Sequence, residues 1–153
     1  METKENDIVQ NGIITDRVYI SGAMSSLPRE EYMRRFMLVE SHLRELGYVN
    51  IVNPVRFWTC RFPWFYRLVG YRLTLLADLW MLMHCQRIYK MPGWRGSHGA
   101  SVESCVSYHF KIWKLAKSIS DGIDKAVIES DREAEKARRR AAKQNDGNNA
   151  IVQ

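Results

Sequence analysis

The chain has 153 residues, 46% of them hydrophobic, enough for one compact domain with its own core and no disulfide framework. Its three cysteines, Cys60, Cys85 and Cys105, are widely spaced and form no Cys-x-x-Cys pair, which argues against a zinc site and fits a reducing cytosol. A net charge of +6 permits a polyanionic partner, whereas the charged start Met1–Asp7 is no signal peptide, and Arg67, Arg72 and Asp78 break the apolar stretch from Trp64 to Cys85 too often for a membrane span.

Residues 1–16 read as a flexible N-terminal segment. Val18-Tyr19-Ile20 reads as a first strand, ended by Ser21-Gly22-Ala23. A helix is expected from about Arg29 to Leu46. Tyr32, Phe36, Val39, Leu43 and Leu46 recur on one face, while Arg29, Glu30, Arg34, Arg35, Glu40 and Arg44 fall mostly on the other. Gly47 ends it. Val49 to Val52 is a second strand, stopped by Asn53-Pro54.

Arg56 to Tyr71 breaks the pattern with seven aromatic residues and three arginines and has no clean period. A helix resumes near Leu73 and runs to about Cys85. Ile88 to Met91 is the third strand. It feeds a small-residue loop, Gly93-Trp94-Arg95-Gly96-Ser97-His98-Gly99, and then a helix from Ala100 to about His109. Lys111 to Leu115 alternates polar and apolar and reads as a fourth strand. Asp121 to about Lys143 is a terminal helix. Ile123, Val127 and Ile128 can pack, but its second half is too polar to do so. Its basic residues include Arg132, Lys136, Arg138, Arg139, Arg140 and Lys143, and Gln144 to Gln153 is expected to be disordered. The α/β domain is thus placed at 17–128, with a polar basic helix end and tail at 129–153.

Strand–helix alternation implies an α/β fold: a flavodoxin-like or Rossmann-like parallel sheet of four to five strands with helices on both faces. In such sheets ligands bind beyond the carboxyl ends of the strands. Three loops lie there: Ser21 to Leu27, Asn53 to about Tyr71, and Pro92 to Gly99. In the third, backbone N–H groups and a helix N-terminus favour an anion. The carboxylate of Glu103 follows on the helix's first turns and can act as a nucleophile or base. Asp78 lies in an apolar setting, Leu75-Leu76-Ala77-Asp78-Leu79-Trp80, where burial would raise its pKa.

Tyr19-Ile20-Ser21-Gly22-Ala23-Met24, Gly47, Asn53-Pro54, Asp78, Pro92-Gly93-Trp94 and Ser97-His98-Gly99-Ala100-Ser101-Val102-Glu103 occur in this order. The ordered set resembles the nucleoside 2-deoxyribosyltransferase-like superfamily, closest to the small uncharacterised DUF4406-type domains frequent in phages and prophages. The resemblance covers about Arg17 to Ala116. It implies a flavodoxin-like fold and cleavage of the bond between sugar and base, with no metal or other cofactor. By position it implies that Glu103 is the nucleophile, that Asp78 assists departure of the base, and that Tyr19 stands beside the nucleophile. It implies phosphate contact at Ser97. Ser21, Gly22, Gly99, Ala100 and Arg95 complete the expected ligand- and phosphate-binding set. Two positions depart from the pattern. Lys90-Met91-Pro92-Gly93 lacks an aspartate that the transferases carry, and Ala23 replaces a serine of the monophosphate hydrolases. Arg56, Arg61 or Arg95 can then serve as anion ligands.

Each residue also has a plainer reading. Glu103 can be a helix-dipole partner, Asp78 a structural acid, Tyr19 core packing and Ser97 a turn former. His98 reads as a loop residue and His84 as part of a packed helix face. The aromatic segment can be core, lid or subunit interface.

The leading expectation is an enzyme that cleaves or transfers the N-glycosidic bond of a nucleoside or nucleoside 5'-phosphate, with Glu103 as nucleophile. It would work in the cytoplasm, the host's if phage-encoded, as a homodimer or larger homo-oligomer and without a membrane. A second expectation is a non-catalytic binding protein for a nucleotide or nucleotide-derived signal. A third is a nucleic-acid-associated accessory protein acting through the basic C-terminal helix; nucleic acid is possible as a partner but not favoured.

Overall fold

A computed structural model describes residues 9–10, 13–24, 26–56 and 63–149, with side chains at 13–24, 26–56, 70 and 72–144. Strands β1 (Val9–Gln10) and β2 (Ile13–Ile14) form a small antiparallel hairpin. The main elements follow as β3 (Val18–Ser21), α1 (Arg29–Glu45), β4 (Ile51–Val52), α2 (Pro63–Met83), β5 (Arg87–Lys90), α3 (His98–His109), β6 (Trp113–Lys114) and α4 (Lys117–Asn149). Four strands make one parallel sheet in the order β4-β3-β5-β6. This is the α/β arrangement expected from the strand–helix alternation. The chain goes outward from β3 to β4, then returns to place β5 on the other side of β3. The switch in direction opens a crevice beyond the carboxyl ends of β3 and β5.

Period-two alternation sorts the side chains of β3 and β5 between two cores. Val18 and Ile20, with Tyr89 and Met91, join Phe36, Val39 and Leu43 of α1 and Ile123 and Val127 of α4. Tyr19 and Ile88 point the other way, to Leu82 and Cys85, with Leu79 of α2 and Val106 of α3 beside them. The sheet therefore lies between α1 and α4 on one face and α2 and α3 on the other. Gly22, just past β3, is approached so closely by Met91 that a Cβ there would stand 2.3 Å from the Met91 Cε. Only glycine lets the first loop leave the strand at this point without displacing Met91.

The N-terminal segment, expected to be a flexible arm, contributes to the fold. Ile14 is buried and bridges to Tyr48, and the Asp16 carboxylate accepts from Arg87 Nε at 2.7 Å. Alpha-helix α4 begins four residues earlier than the sequence indicates and continues to Asn149, where an unstructured tail was expected from Gln144. Its polar half does pack, through charge. Asp131 pairs with Arg34 and Arg35 of α1, Arg34 also contacts Ser130, and Arg138 reaches Glu31. Tyr89 donates to Asp124 at 2.6 Å, tying β5 to the same helix. Helix α2 is interrupted at Gly70, whose φ of 78° and ψ of 162° are not helical. A side chain at that φ would be strained. Arg61 and the aromatic residues Phe57, Trp58 and Phe62 lie outside the described residues.

Periodicity alone also misplaced one residue of α1 and its C-cap. Glu40, assigned to the polar face, is only 2% exposed, and Leu46, assigned to the apolar face, is 45% exposed. Glu40 turns inward because the loop after β4 surrounds it with donors. It receives Asn53 Nδ2 at 2.8 Å, Arg56 Nε at 2.7 Å and Arg44 Nη2 at 2.9 Å. Burial would raise its pKa, but these donors outweigh burial and hold it below the usual carboxylate value. The cluster fixes the Asn53-Pro54 turn against α1. Glu40→Gln should destabilise the fold by about 1–3 kcal/mol in urea denaturation at pH 7. Because the folded pKa is depressed, this difference exists above about pH 4.5 and should vanish as pH falls further. An equal loss at pH 3 and pH 7 would refute the charge-based account.

Candidate active site at the sheet switch point

Tyr19 and Ser21 are two residues apart on β3 and therefore project to the same face, toward α2 and α3. Helix α3 brings Glu103 to them from a distance of more than 80 positions in the chain. Tyr19 donates its hydroxyl to Glu103 Oε1 at 2.9 Å, and Ser21 donates to Oε2 at 2.6 Å. All three are buried, with Glu103 4% exposed. Helix α2 supplies Asp78, also buried, which accepts no hydrogen bond from the described residues and is close enough to feel the Glu103 charge. The four residues come from three separate elements and meet at the crevice where strand order reverses.

The electrostatics divide the two acids. Burial pushes Asp78 up to about 7, and the neighbouring Glu103 charge pushes it the same way. Glu103 is likewise raised to about 7, by burial and against the lowering pull of the Ser21 and Tyr19 hydroxyls. Between two interacting carboxyls, the one with two donors carries the negative charge more readily, and the one without keeps the proton. Burial, with the Glu103 charge as a second cause, holds the Tyr19 phenol far above its usual value, so it remains a neutral donor. The arrangement presents one oriented carboxylate and one protonated acid in the same desolvated space.

The other residues singled out in the sequence occupy different places. Ser21 is fully buried with its hydroxyl committed to Glu103, a contact the sequence did not indicate. Ser97 is the N-cap of α3. Its hydroxyl accepts from the Ala100 N–H at 3.5 Å, and its carbonyl accepts from the Ser101 hydroxyl at 2.9 Å. Ala100 is buried and Gly99 is half-buried in this first turn. Gly22 faces Met91, as described above. Arg56 is paired with Glu40. Arg95 is exposed over the Trp94 ring and lines a separate cavity with Lys90 and Lys114, whose walls include neither Glu103 nor Ser21. His98 is exposed, and His84 rests on Trp80 with Nδ1 2.7 Å from the Trp80 carbonyl. Cys85 is buried, with its thiol pushed up to about 11 by burial and its S–H donated to Met81. Among the described residues, no group of three or more His, Cys, Asp or Glu is placed to hold a metal ion, and no helix is long and apolar enough to cross a membrane.

Residues 16–113, from the start of the sheet to β6, match the family described as Domain of unknown function (DUF4406). The chain belongs to this family. No curated protein and no solved structure matches it. The matched DUF4406 region contains Tyr19, Ser21, Asp78 and Glu103, and it leaves α4 outside. The whole buried acid cluster is thus internal to the DUF4406 domain.

Asp78 is raised from 3.8 to about 7 on folding, so its burial carries no charge penalty while it is protonated and destabilises once it must ionise. Wild type should therefore lose stability relative to Asp78→Asn as pH rises from about 4 to about 7. The full difference is at most about 4 kcal/mol. Chemical denaturation of both proteins across this range measures it. A difference that stays flat, or that favours wild type at higher pH, would overturn the assignment of Asp78 as a buried acid.

Proposed function

We propose that this protein cleaves or transfers the N-glycosidic bond of a nucleoside or nucleoside 5'-phosphate. The observation that carries this reading is the Glu103 carboxylate, held by the Tyr19 and Ser21 hydroxyls and facing the second buried acid Asp78. Breaking a bond between sugar and base develops positive charge on the sugar, which an oriented carboxylate stabilises or captures. In the first step a Glu103 oxygen bonds to the anomeric carbon as the carbon–nitrogen bond breaks, and the departing base takes the Asp78 proton. In the second step water, or another base in a transferase, attacks the same carbon, the bond to Glu103 breaks to restore its carboxylate, and Asp78 receives the proton of the attacking group. Tyr19 and Ser21 hold the nucleophile and share its charge until it reacts. The resemblance noted from the ordered motifs supports the same assignment, as does the position of the cluster at a sheet switch point.

The test is release of free base, followed by chromatography, from a panel of nucleosides and their 5'-phosphates. Wild type should release base from at least one, and Glu103→Gln should lower that rate by 10³-fold or more. The wild-type rate should also fall as pH rises above about 7, where Asp78 loses its proton. Equal release by both proteins would remove Glu103 as nucleophile. Thermal stabilisation by a panel member with no release from any would leave a binding protein instead.

A homo-oligomer belongs to the same reading. The outer face of α2 carries Leu73, Leu76, Trp80 and Met83 at helical spacing, each 40–62% exposed. Such an apolar stripe marks a contact surface, and here it lies on the helix that delivers Asp78. Sedimentation should show a dimer or larger assembly that Trp80→Glu shifts toward monomer. A wild-type monomer at tens of micromolar would refute the assignment.

A further inference from the structure

Beyond β5, at the β6 edge of the sheet, the outer face of α3 borders a cavity of about 590 Å³. It differs in chemistry from the crevice that holds Glu103. Its walls include three cationic side chains, Lys90, Arg95 and Lys114, and no carboxylate. Among the described residues none of the three forms an ion pair. Lys90 instead donates to Ser104 Oγ at 2.6 Å. Burial, with the Lys114 charge as a second cause, holds the Lys90 ammonium below its ordinary value. Three like charges gathered on one concavity repel each other, and an anion between them removes that cost.

The cavity also has flat apolar surfaces. The Trp94 ring has Lys90 Nζ 5.0 Å and Arg95 Cζ 5.6 Å from its centroid. Tyr108, which also lines the cavity, is 80% exposed, unusual for so large a ring. The lining also includes small residues such as Ser101 and Ser104, which leave room for a ring to enter. The volume lies within the range of small-molecule sites.

From these features we infer a second ligand site on the outer face of α3, built for a small organic phosphate that carries a planar ring, such as a mononucleotide. The phosphate sits among Lys90, Arg95 and Lys114, and the ring lies against Trp94 and Tyr108. The two sites use different sides of one helix: Glu103 faces the crevice, and its neighbour Ser104 lines the cavity. The inference does not depend on whether Glu103 reacts.

Isothermal titration calorimetry of the full chain tests it, with AMP, adenosine, inorganic phosphate and a twelve-residue oligo(dT) as probes. AMP should bind wild type, and the Arg95→Gln/Lys114→Gln double variant should bind one fewer AMP per chain or bind it at least tenfold more weakly. Both substituted side chains lie at the surface, and an unchanged melting temperature would show that the variant folds. Trp94→Leu should weaken AMP while leaving inorganic phosphate unaffected. Unchanged AMP stoichiometry and affinity in the double variant would overturn the site. Binding of oligo(dT) without binding of AMP would also overturn it, replacing the small ligand with single-stranded nucleic acid.

Discussion

The structure depends on one constraint: a carboxylate, Glu103, is kept out of water at the centre of the sheet's switch point. An ionised carboxylate in that position is costly unless donors meet it. The first strand supplies both donors, Tyr19 and Ser21, because alternation along β3 aims the two residues at the same face. Their position in turn requires β3 to be central, with β4 on one side and β5 on the other. It also requires the α3 helix to start at its Ser97 cap, so that Glu103 falls on the turn facing β3 rather than the turn facing solvent. The second acid, Asp78, adds to the strain and would be hard to explain as a purely stabilising residue. Two buried acids near one another favour keeping one proton between them, which is the state that acid-assisted bond cleavage needs.

The same helix organises two unlike environments. On its inner side the charges are acidic, buried and paired with hydroxyls. On its outer side they are basic, partly exposed and lack acidic partners among the described residues. The serines at Ser101, Ser104 and Ser107 suit this arrangement, because small side chains let α3 lie close to the β5–β6 edge while leaving volume outside. Elsewhere several acids gather cations within the fold. Glu40 gathers Arg44, Arg56 and Asn53, Asp131 gathers Arg34 and Arg35, and Asp16 holds Arg87.

Much of the scaffold is readable from local pattern. The strands at Val18–Ser21 and Arg87–Lys90, the helix after Pro28 and the helix after Ser97 all carry periods or caps that a local physical argument can identify. Glu103, Asp78 and Tyr19 were also identifiable, through the ordered motif set rather than through any single residue. The errors have a common cause. Glu40 was placed on the solvent face because helical period records which way a residue points on its own helix, not what another loop later brings to it. The polar half of α4 was expected not to pack because hydrophobic period ignores ion pairing across helices, and the hairpin at 9–14 has strands too short to register as a pattern. Arg95 was grouped with Glu103 because both follow the third strand. The 3₁₀ turn at Trp94–Gly96 and the cap at Ser97 direct them to different sides of α3.

The sequence by itself determined the fold class and the order of the main elements, because these follow from periodicity and caps along a continuous stretch of chain, while Glu103, Asp78 and Tyr19 were singled out by the resemblance of the ordered motifs. Only the tertiary structure decided which hydroxyls hold Glu103, how burial raises both acids and where Lys90, Arg95 and Lys114 collect. Those outcomes depend on desolvation and on contacts between separate elements, such as Tyr19 and Ser21 of β3 with Glu103 of α3, more than 80 positions away. Neither is encoded in any local window; both arise when the sheet order β4-β3-β5-β6 closes three elements around one carboxylate.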